Sequence, residues 1–388
     1  MSIETLIFIL IVLILYSYCF YPVVLYIISY CVQRIHPGEL KSEVIDSNNP
    51  RLSVAIVLSA YNEEKHIVNT VNNLLQQQDY PAEKIKIYIG SDGSTDNTVK
   101  LIKQLSDNRI VLFDFPVNRG KVSVLNEMLT QVTESVIVFT DANAVFRLDA
   151  INNLIKHFSV PDIAGVCGEL NLIKAVTGDN YDNVYWRIER FLKYHESKVN
   201  GFLGANGAIY AIRREYFQAL PNDTIVDDFT LFMKIALNGH KTIYEADAIA
   251  DEEMVASMSG EYGRRVRIGA GNYQAFFRLK SALHAKQGIR AFTYLSHKVL
   301  RWFTPHFLLL IFSLNVLLLD QYSFVLLFIM QVILYTICFI VIKYFKDYSL
   351  PTLISLPVFF INMNLALGHG FIDYTFREIK GNWKRTER

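Results

Sequence analysis

An uncharged apolar run near the N-terminus is the feature that most constrains how this chain folds. Between Glu4 and Arg34, residues 5–33 contain no Asp, Glu, Lys or Arg. The run is longer than the roughly 20 residues that a helix needs to cross the hydrocarbon core of a bilayer. We therefore predict a membrane-spanning helix here. Its length, and the lack of Lys or Arg before it, argue against a cleaved signal peptide.

Apolar segments return near the C-terminus. Residues 303–319 and 324–343 are each long enough for a span, whereas residues 353–372 are a weaker candidate because Pro357 and several Gly, Asn and His residues interrupt them. Across the whole chain, 52% of residues are hydrophobic and the mean hydropathy is +0.23. A soluble domain combined with membrane spans produces such an intermediate average.

The basic residues predict which side of the membrane the central region occupies. Arg34, Lys41 and Arg51 follow the first span, and Lys and Arg residues between 280 and 301 precede the second. The positive-inside tendency therefore places residues 34–302 in the cytoplasm. The net charge of +1 gives no electrostatic footprint for nucleic acid.

The C-terminal tail raises a question of topology. From Arg377 onward it carries five Lys or Arg, yet four full crossings would leave it on the side opposite the central region. Either residues 353–372 do not fully cross, or residues 5–33 form a bent pair. We favour the first, since Pro and polar residues at membrane depth usually line a cavity or a re-entrant turn.

The region from residue 51 to about 250 alternates short β-branched runs with helical patterns. Residues 53–60, 85–92, 109–113 and 135–140 are predicted strands, and apolar residues recur at helical spacing between them. This rhythm predicts an α/β fold with a mostly parallel central sheet covered on both faces. Right-handed crossovers put the carboxyl ends of the strands at one edge, where such sheets bind ligands.

Polar clusters follow three of these strands. The first strand ends in Ala60–Glu64, the second in Ser91–Asp96 and the fourth in Asp141–Asn143. We therefore expect all three clusters at the same edge of the sheet.

Five motifs occur in order along this region: AYNEE, SDGSTDNT, NRGKVSVLN, TDAN and VDDF. As a set they resemble the membrane-bound inverting glycosyltransferases of family 2, the group that includes the cellulose, chitin, hyaluronan and poly-N-acetylglucosamine synthases. The resemblance covers roughly residues 51–275 and the flanking spans. It implies a GT-A-type nucleotide-sugar-binding domain, a UDP-linked donor and a divalent cation, Mg²⁺ or Mn²⁺.

The resemblance assigns the donor pocket to the first three motifs. It implies that Ala60, Tyr61 and Glu63 line a uridine pocket and that Asp92 meets the base or the ribose. Tyr61 offers a ring for stacking, and the two acids offer hydrogen-bond acceptors. Lys121 is expected to reach the base or the phosphates, with a solvated lysine at a helix start as the alternative.

The predicted metal ligands are Asp141 and Asn143. The family usually has a second aspartate where this chain has Asn143, and an amide oxygen contributes no charge. Mg²⁺ and Mn²⁺ take oxygen ligands and often keep only one or two protein carboxylates beside the substrate phosphates. The alternative for Asp141 is a cap for the helix that starts near Leu148.

By the resemblance, Asp228 is the general base that deprotonates the acceptor hydroxyl, with Asp227 as its neighbour. Adjacent carboxylates raise one another's proton affinity. The alternative is that both acids cap the following helix. Asn206 and Gly207, in a stretch of small residues just before this motif, are predicted to contact the acceptor.

The next motif departs from the family. Processive relatives carry Gln-x-x-Arg-Trp, and the best match here has Arg264 in place of Gln, retains Arg267 and has Ile268 in place of Trp. Arg267 is expected to clamp the leaving diphosphate, because guanidinium matches phosphate geometry. Arg264 is a predicted acceptor contact. An anionic-lipid anchor is the alternative for the basic cluster.

The aromatic residues of an amphipathic helix over 181–198, including Tyr185, Trp186 and Tyr194, are predicted to pack in the core, with sugar stacking as the alternative. Between Tyr273 and Leu283 we predict a helix lying on the bilayer surface.

The predicted organisation has four parts: a transmembrane helix at 1–33, a cytoplasmic GT-A domain at 34–260, interfacial helices at 261–300, and a C-terminal membrane region at 301–388. We predict an integral enzyme of the plasma membrane that transfers a sugar to a growing glycan or a lipid-linked acceptor for a surface polysaccharide. A partner subunit or dimer is expected to help form any channel. The alternatives are a single-sugar transferase acting on a lipid carrier and a catalytically impaired scaffold.

Overall fold

A computed structural model describes residues 1–35, 52–77, 79–173, 184–202, 204–253, 258–344 and 351–377. The chain forms two compact units. One unit contains residues 1–24, 257–283 and 292–379, and the other contains residues 25–256, 284–291 and 380–388. We call them the helical unit and the sheet unit.

The sheet unit is built on one eight-stranded sheet of order β3-β2-β1-β4-β7-β6-β8-β5. Its strands are β1 (Val54–Ala60), β2 (Ile85–Asp92), β3 (Ile110–Phe115), β4 (Val136–Phe139), β5 (Val145–Phe146), β6 (Ile163–Ile173), β7 (Tyr210–Arg213) and β8 (Lys241–Glu253). Strand β1 pairs in parallel with β2 and β4, β2 pairs in parallel with β3, and β6 pairs in parallel with β8. Strands β7 and β5 run antiparallel to their neighbours. The predicted α/β class with a mostly parallel sheet is confirmed.

Side chains of β1 alternate between two hydrophobic cores, one on each face of the sheet. Val54, Ile56 and Leu58 belong to one core, and Ala55 and Val57 belong to the other. Every residue of β1 is buried. This explains why the strand reads as a continuous apolar run, because a central parallel strand is covered on both sides.

The helices of the sheet unit connect these strands. They are α3 (Ile67–Leu75), α4 (Thr98–Gln104), α5 (Lys121–Leu129), α6 (Ala150–Ile155), α7 (Val184–Lys198), α8 (Asp227–Leu237) and α10 (Ile289–Thr293), of which the last runs past the end of the unit. Helices α3 and α4 follow β1 and β2, and α5 follows β3, so the predicted strand and helix alternation is confirmed in this part of the chain.

The remaining helices are apolar or follow the sheet. They are α1 (Ile3–Leu15), α2 (Tyr21–Ile35), α9 (Met258–Arg278), α11 (Leu300–Val316), α12 (Tyr322–Tyr344) and α13 (Thr352–Phe376). Among the described residues, four helical segments have the length and composition to cross a membrane: Ile3–Ile35, Ile289–Val316, Tyr322–Tyr344 and Leu353–Phe376. Helix α9 contains the start of the predicted surface helix and ends at Arg278.

One expectation about the apolar segments is wrong, and another stays a prediction. The first run is helical from Ile3 to Ile35, with one π-helical turn at Tyr16–Phe20, and is not a bent pair. The last segment is one continuous helix despite Pro357 and is long enough for a span, and its incomplete crossing stays a prediction. Pro357, the sixth residue of this helix, removes one backbone hydrogen bond, and the helix continues past it.

The glycines of α13 serve its packing against α9 within the helical unit. A Cβ added at Gly370 would lie 2.6 Å from the backbone N of Ala270 and 2.7 Å from the backbone O of Val266. Across the same contact, a Cβ at Gly269 would lie 3.3 Å from Leu367 Cα. Small residues let two helix backbones approach this closely. The polar-looking sequence of α13 is therefore a helix–helix contact surface.

Candidate functional site

The first two motifs form one hydrogen-bonded double loop at the carboxyl ends of β1 and β2. Asn62 has a left-handed backbone (φ 56°), and its Oδ1 accepts a 2.8 Å bond from the Thr95 N–H. The Glu63 N–H donates to Thr98 Oγ1 at 2.8 Å, and the Glu64 N–H donates to Asp96 Oδ2 at 3.1 Å. Asparagine tolerates the left-handed region better than most residues. The polar residues of both motifs are thus used first to fix the shape of the loops.

The predicted donor residues of these loops differ in exposure. Ala60 is buried in the core, while Tyr61 and Glu63 are half-buried. Asp92 is 1% exposed, and both of its carboxylate oxygens accept backbone bonds, from Arg119 N at 2.7 Å and from Gly120 N at 2.9 Å. Asp92 therefore positions the loop that precedes Lys121. The donor contacts of all four residues stay predictions.

Lys121 begins α5 and lies between two acids from different elements. Its Nζ is 2.9 Å from Asp141 Oδ1, beyond the end of β4, and 3.6 Å from Asp227 Oδ2, at the start of α8. The Lys121 side chain is only 13% exposed. The alternative of a solvated lysine is therefore wrong, because its charge is buried among carboxylates.

Gly207 marks the space that these groups surround. A methyl group at Gly207 would lie 3.3 Å from Asp141 Oδ2, 3.4 Å from Asp228 Oδ2 and 3.7 Å from Lys121 Nζ. Asp228 Oδ1 accepts a bond from the Phe229 N–H at 2.7 Å. The structure thus brings together Gly207, a predicted acceptor contact, Asp228, the predicted base, and Asp141, a predicted metal ligand. We call Lys121, Asp141, Asp227 and Asp228 the acidic cluster.

The helix-cap alternative is wrong for Asp141, whereas Asp227 and Asp228 do lie at the start of a helix. Helix α6 begins at Ala150 and follows Asp149, so Asp141 does not cap it. Asp227 and Asp228 do form the first turn of α8, where negative charge is favourable. Oxygen Oδ1 of Asp228 serves the helix start, and oxygen Oδ2 faces the space beside Gly207.

Burial and mutual repulsion shift the proton affinities in the acidic cluster. Burial and the adjacent Asp227 carboxylate raise the pKa of Asp228 to about 7, although Lys121 acts in the opposite direction. Burial opposes the charge on Lys121, but Asp141, Asp227 and Asp228 outweigh burial and raise its pKa. The arrangement therefore holds a permanent cation beside an acid that titrates near neutrality.

The donor set fits a divalent cation that takes most of its ligands from a substrate. Among the residues that the structure describes, no group of three or more His, Cys, Asp or Glu side chains could hold a metal ion. Asp227 Oδ2 is buried without a hydrogen-bond partner in the described part of the chain. Asn143 Nδ2 is also buried without one, but an amide N–H group does not bind a cation, so the metal contact of Asn143 stays a prediction. One carboxylate and one amide beside a diphosphate is an ordinary environment for Mg²⁺.

Part of this site lies in a region that matches a known family. Residues 55–220 match the model of Glycosyl transferase family 2. This region is a family 2 glycosyltransferase domain. Poly-beta-1,6-N-acetyl-D-glucosamine synthases of Staphylococcus aureus and Staphylococcus epidermidis are 25% identical over 232 residues, which are 58% of this chain. The chain matches 56% of the length of those relatives.

A solved structure matches over nearly the whole length. The mannosyltransferase PcManGT from Pyrobaculum calidifontis, in complex with GDP-Man and Mn²⁺, has a TM-score of 0.71 and 20% identity. The match covers 96% of this chain and 99% of the mannosyltransferase. The glycosyltransferase domain thus has the GT-A-like fold that the motifs predicted, and the four candidate membrane helices precede or follow it in the sequence.

Asn206, the other predicted acceptor contact in the glycosyltransferase domain, makes hydrogen bonds within the fold. Asn206 Nδ2 donates to the Gly168 carbonyl at 3.0 Å, and its Oδ1 accepts from the Ile209 N–H at 3.3 Å. The amide therefore ties the loop before β7 to the middle of β6. Its contact with an acceptor stays a prediction.

Arg264 and Arg267 lie in the helical unit, on α9. Arg264 is 3.8 Å from Glu261, and Glu261 also accepts a 2.7 Å bond from Arg265. Arg267 is exposed. Their predicted roles toward acceptor and diphosphate stay predictions, and so does the lipid-anchor alternative.

Sequence reasoning missed a buried charged network on α7 beside the acidic cluster. Lys193 is 9% exposed and lies over the Tyr244 ring, 5.7 Å from its centroid. The Tyr244 hydroxyl donates to Glu169 Oε2 at 2.5 Å. Burial opposes the charge on Lys193, but its pKa is raised by surrounding anions that include Glu169 and Asp228. The available signal was the spacing of Glu189 and Lys193, four residues apart on the helix face opposite Phe191 and Tyr194.

Proposed function

We propose that this chain is an inverting, metal-dependent glycosyltransferase of the plasma membrane. It moves a sugar from a UDP-linked donor to a growing glycan or a lipid-linked acceptor at the cytoplasmic face. The observation that carries the proposal is the convergence of Asp141, Asp228 and Lys121 on the space beside Gly207, at the edge where parallel sheets bind ligands.

Asp228 has the properties of the base. In an inverting transfer the acceptor oxygen attacks the anomeric carbon opposite the leaving nucleotide, and one base accepts the hydroxyl proton. A pKa of about 7 for Asp228 is matched to that task at neutral pH. Oxygen Oδ1 is fixed by the Phe229 N–H, which leaves oxygen Oδ2 directed at the acceptor space.

Lys121 and Asp141 prepare the site for the leaving diphosphate. A divalent cation, Mg²⁺ or Mn²⁺, would be held by Asp141 with Asn143 beside it, and it would supply charge neutralisation of the leaving group. The Lys121 ammonium, held by Asp141 and Asp227, adds a second positive charge at the same place. A buried cation there stabilises the additional negative charge that develops on the leaving diphosphate.

The test is nucleotide release by the purified full-length protein. Donors are UDP-N-acetylglucosamine, the substrate class that the names of the staphylococcal relatives suggest, other UDP-sugars, and GDP-mannose, the donor named for PcManGT. Mn²⁺-dependent release is expected from a UDP-sugar. Asp228→Asn should abolish transfer, whereas Asp114→Asn, an exposed aspartate on β3, should not. Release of no nucleotide from any donor would support the scaffold instead, and full activity of Asp228→Asn would refute the assignment of the base.

Product length separates the two enzymatic versions. The polymer synthases among the relatives favour chain extension, while Ile268 in place of the family's tryptophan favours a single addition. Sizing the radiolabelled product on lipid and glycan acceptors distinguishes them. Protease access to the sheet unit in sealed inside-out vesicles tests the cytoplasmic orientation.

A further inference from the structure

Helix α7 carries an apolar face that the sheet unit does not cover. Ile188, Phe191 and Tyr194 are 37%, 37% and 46% exposed and are spaced three residues apart, so they share one side of the helix. The opposite side is buried and contains Glu189, Lys193 and Glu196. The expectation that the aromatic residues of this helix pack in the core is therefore wrong for Tyr194 and for Tyr185, which is 36% exposed.

The second half of α2 extends this face within the sheet unit. The Tyr26 ring stacks on Phe191, with centroids 6.3 Å apart, and meets His195 edge-on at 5.3 Å. Ser29 Oγ is 2.6 Å from His195 Nδ1. Tyr26 and Tyr30 are nevertheless 49% and 48% exposed. We call Tyr26, Tyr30, Ile188, Phe191 and Tyr194 the aromatic stripe.

The length of the N-terminal helix indicates the depth in a bilayer at which the aromatic stripe lies. The helical run Ile3–Ile35 has 33 residues and is about 50 Å long at 1.5 Å per residue. A hydrocarbon core of about 30 Å takes roughly 20 of them. Counted from Ile3, the core ends near residue 23, so Tyr26 and Tyr30 fall at the level of the headgroups. Tyrosine is enriched at that level in membrane proteins.

Two basic side chains border the stripe. The Arg34 guanidinium lies 5.2 Å from the centroid of the Tyr30 ring, and Lys198 Nζ lies 5.1 Å from that of Tyr194. Long basic side chains over amphipathic rings are typical of membrane interfaces, where the rings enter the acyl boundary and the charges reach lipid phosphates. A partner that is apolar inside and anionic at its surface matches this pattern.

We propose that the aromatic stripe docks on the bilayer, so that α7 lies in the interface beside the N-terminal span. The occupant is the lipid surface, because the stripe continues directly from a helix that is itself a candidate span. A second copy of the chain would also cover apolar area, and the test distinguishes the two.

The experiment reads depth at single labelled positions in the full-length chain. Cys19 and Cys31, the exposed cysteines, are replaced by serine, and the buried Cys167 and Cys338 are kept. Ile188→Cys and Tyr194→Cys are labelled separately with an environment-sensitive fluorophore. The protein is reconstituted in phosphatidylcholine vesicles that contain phosphatidylglycerol. Lys103→Cys on α4, in the same unit and 60% exposed, is the matched control.

We expect nitroxide-bearing lipids to quench the labels at 188 and 194 several-fold more strongly than the label at 103, with aqueous iodide showing the reverse order. Iodide quenching at 188 and 194 as strong as at 103, without lipid quenching, would overturn the proposal. Protection from iodide that depends on protein density, again without lipid quenching, would overturn it in favour of a second copy.

Discussion

Three glycines of the helical unit differ in what an added methyl group would meet. At Gly370 of α13 it would lie 2.6 Å from the backbone of α9, and at Gly269 of α9 it would lie 3.3 Å from Leu367 Cα. At Gly263, in the same helix α9, nothing lies within 4 Å. Alanine at these three positions is therefore a graded series in which only the room between helices changes.

The expected magnitudes follow from two opposing effects. Alanine in a helix interior is favoured over glycine by roughly 0.5–1 kcal/mol. Extra atoms in a well-packed contact cost about 1–3 kcal/mol. Because the helix preference is common to all three, the free energies of unfolding of Gly263→Ala and Gly370→Ala should differ by about 1–3 kcal/mol. Gly263→Ala should be neutral or stabilised, and Gly269→Ala should fall between.

The assay is thermal unfolding of the full-length protein in detergent, followed by tryptophan fluorescence. The midpoints should fall in the order Gly263→Ala, Gly269→Ala, Gly370→Ala. Equal midpoints for Gly263→Ala and Gly370→Ala would mean that the close backbone approach of α9 and α13 does not exist in the molecule.

The acidic cluster gives the remaining predictions. Because the base must be ionised, the rate of transfer should fall as pH drops below about 7. Asp227→Asn removes the charge that raises the pKa of Asp228, so it should move this acid limb of the rate profile to lower pH. Lys121→Met should move the same limb of the rate profile to higher pH, and an unmoved limb would contradict the electrostatic argument. Loss of the buried ion pairs of Lys121 should also destabilise the protein by at most about 3–5 kcal/mol, measured as a lower unfolding midpoint. Asn143→Asp should tighten Mn²⁺ binding measured by electron paramagnetic resonance, and unchanged affinity would mean that Asn143 is not at the metal.

Local sequence patterns predicted strands β1 to β4 but not strand β8. Strands β1, β2 and β4 were predictable because each is a short apolar run bounded by polar turns. Strand β8 was not, since KTIYEADAIADEE alternates irregularly and pairs with β6, from a distant part of the chain. Register shifts in that pairing break the period of two that a sequence pattern relies on.

At the site, the motifs predicted a set of functional residues but not which of them hold the backbone in place. Asp92 looks like a ligand contact in the sequence, yet both of its oxygens hold the backbone before Lys121. Asn206 is similarly engaged by its own fold. Such roles depend on which backbone groups lack partners, and spacing along the chain does not contain that information.

The two faces of α7 have a consequence for how an acceptor arrives. The Asp228 carboxylate contributes to the raised pKa of Lys193 on the buried face, whereas Tyr194 is exposed on the opposite face. A helix with its side chains is about 10–12 Å across. If the outward face rests on lipid, the base and the headgroups lie on opposite sides of this one helix. A sugar carried on a membrane lipid would then reach Asp228 by moving within the plane of the bilayer, and its search would be two-dimensional.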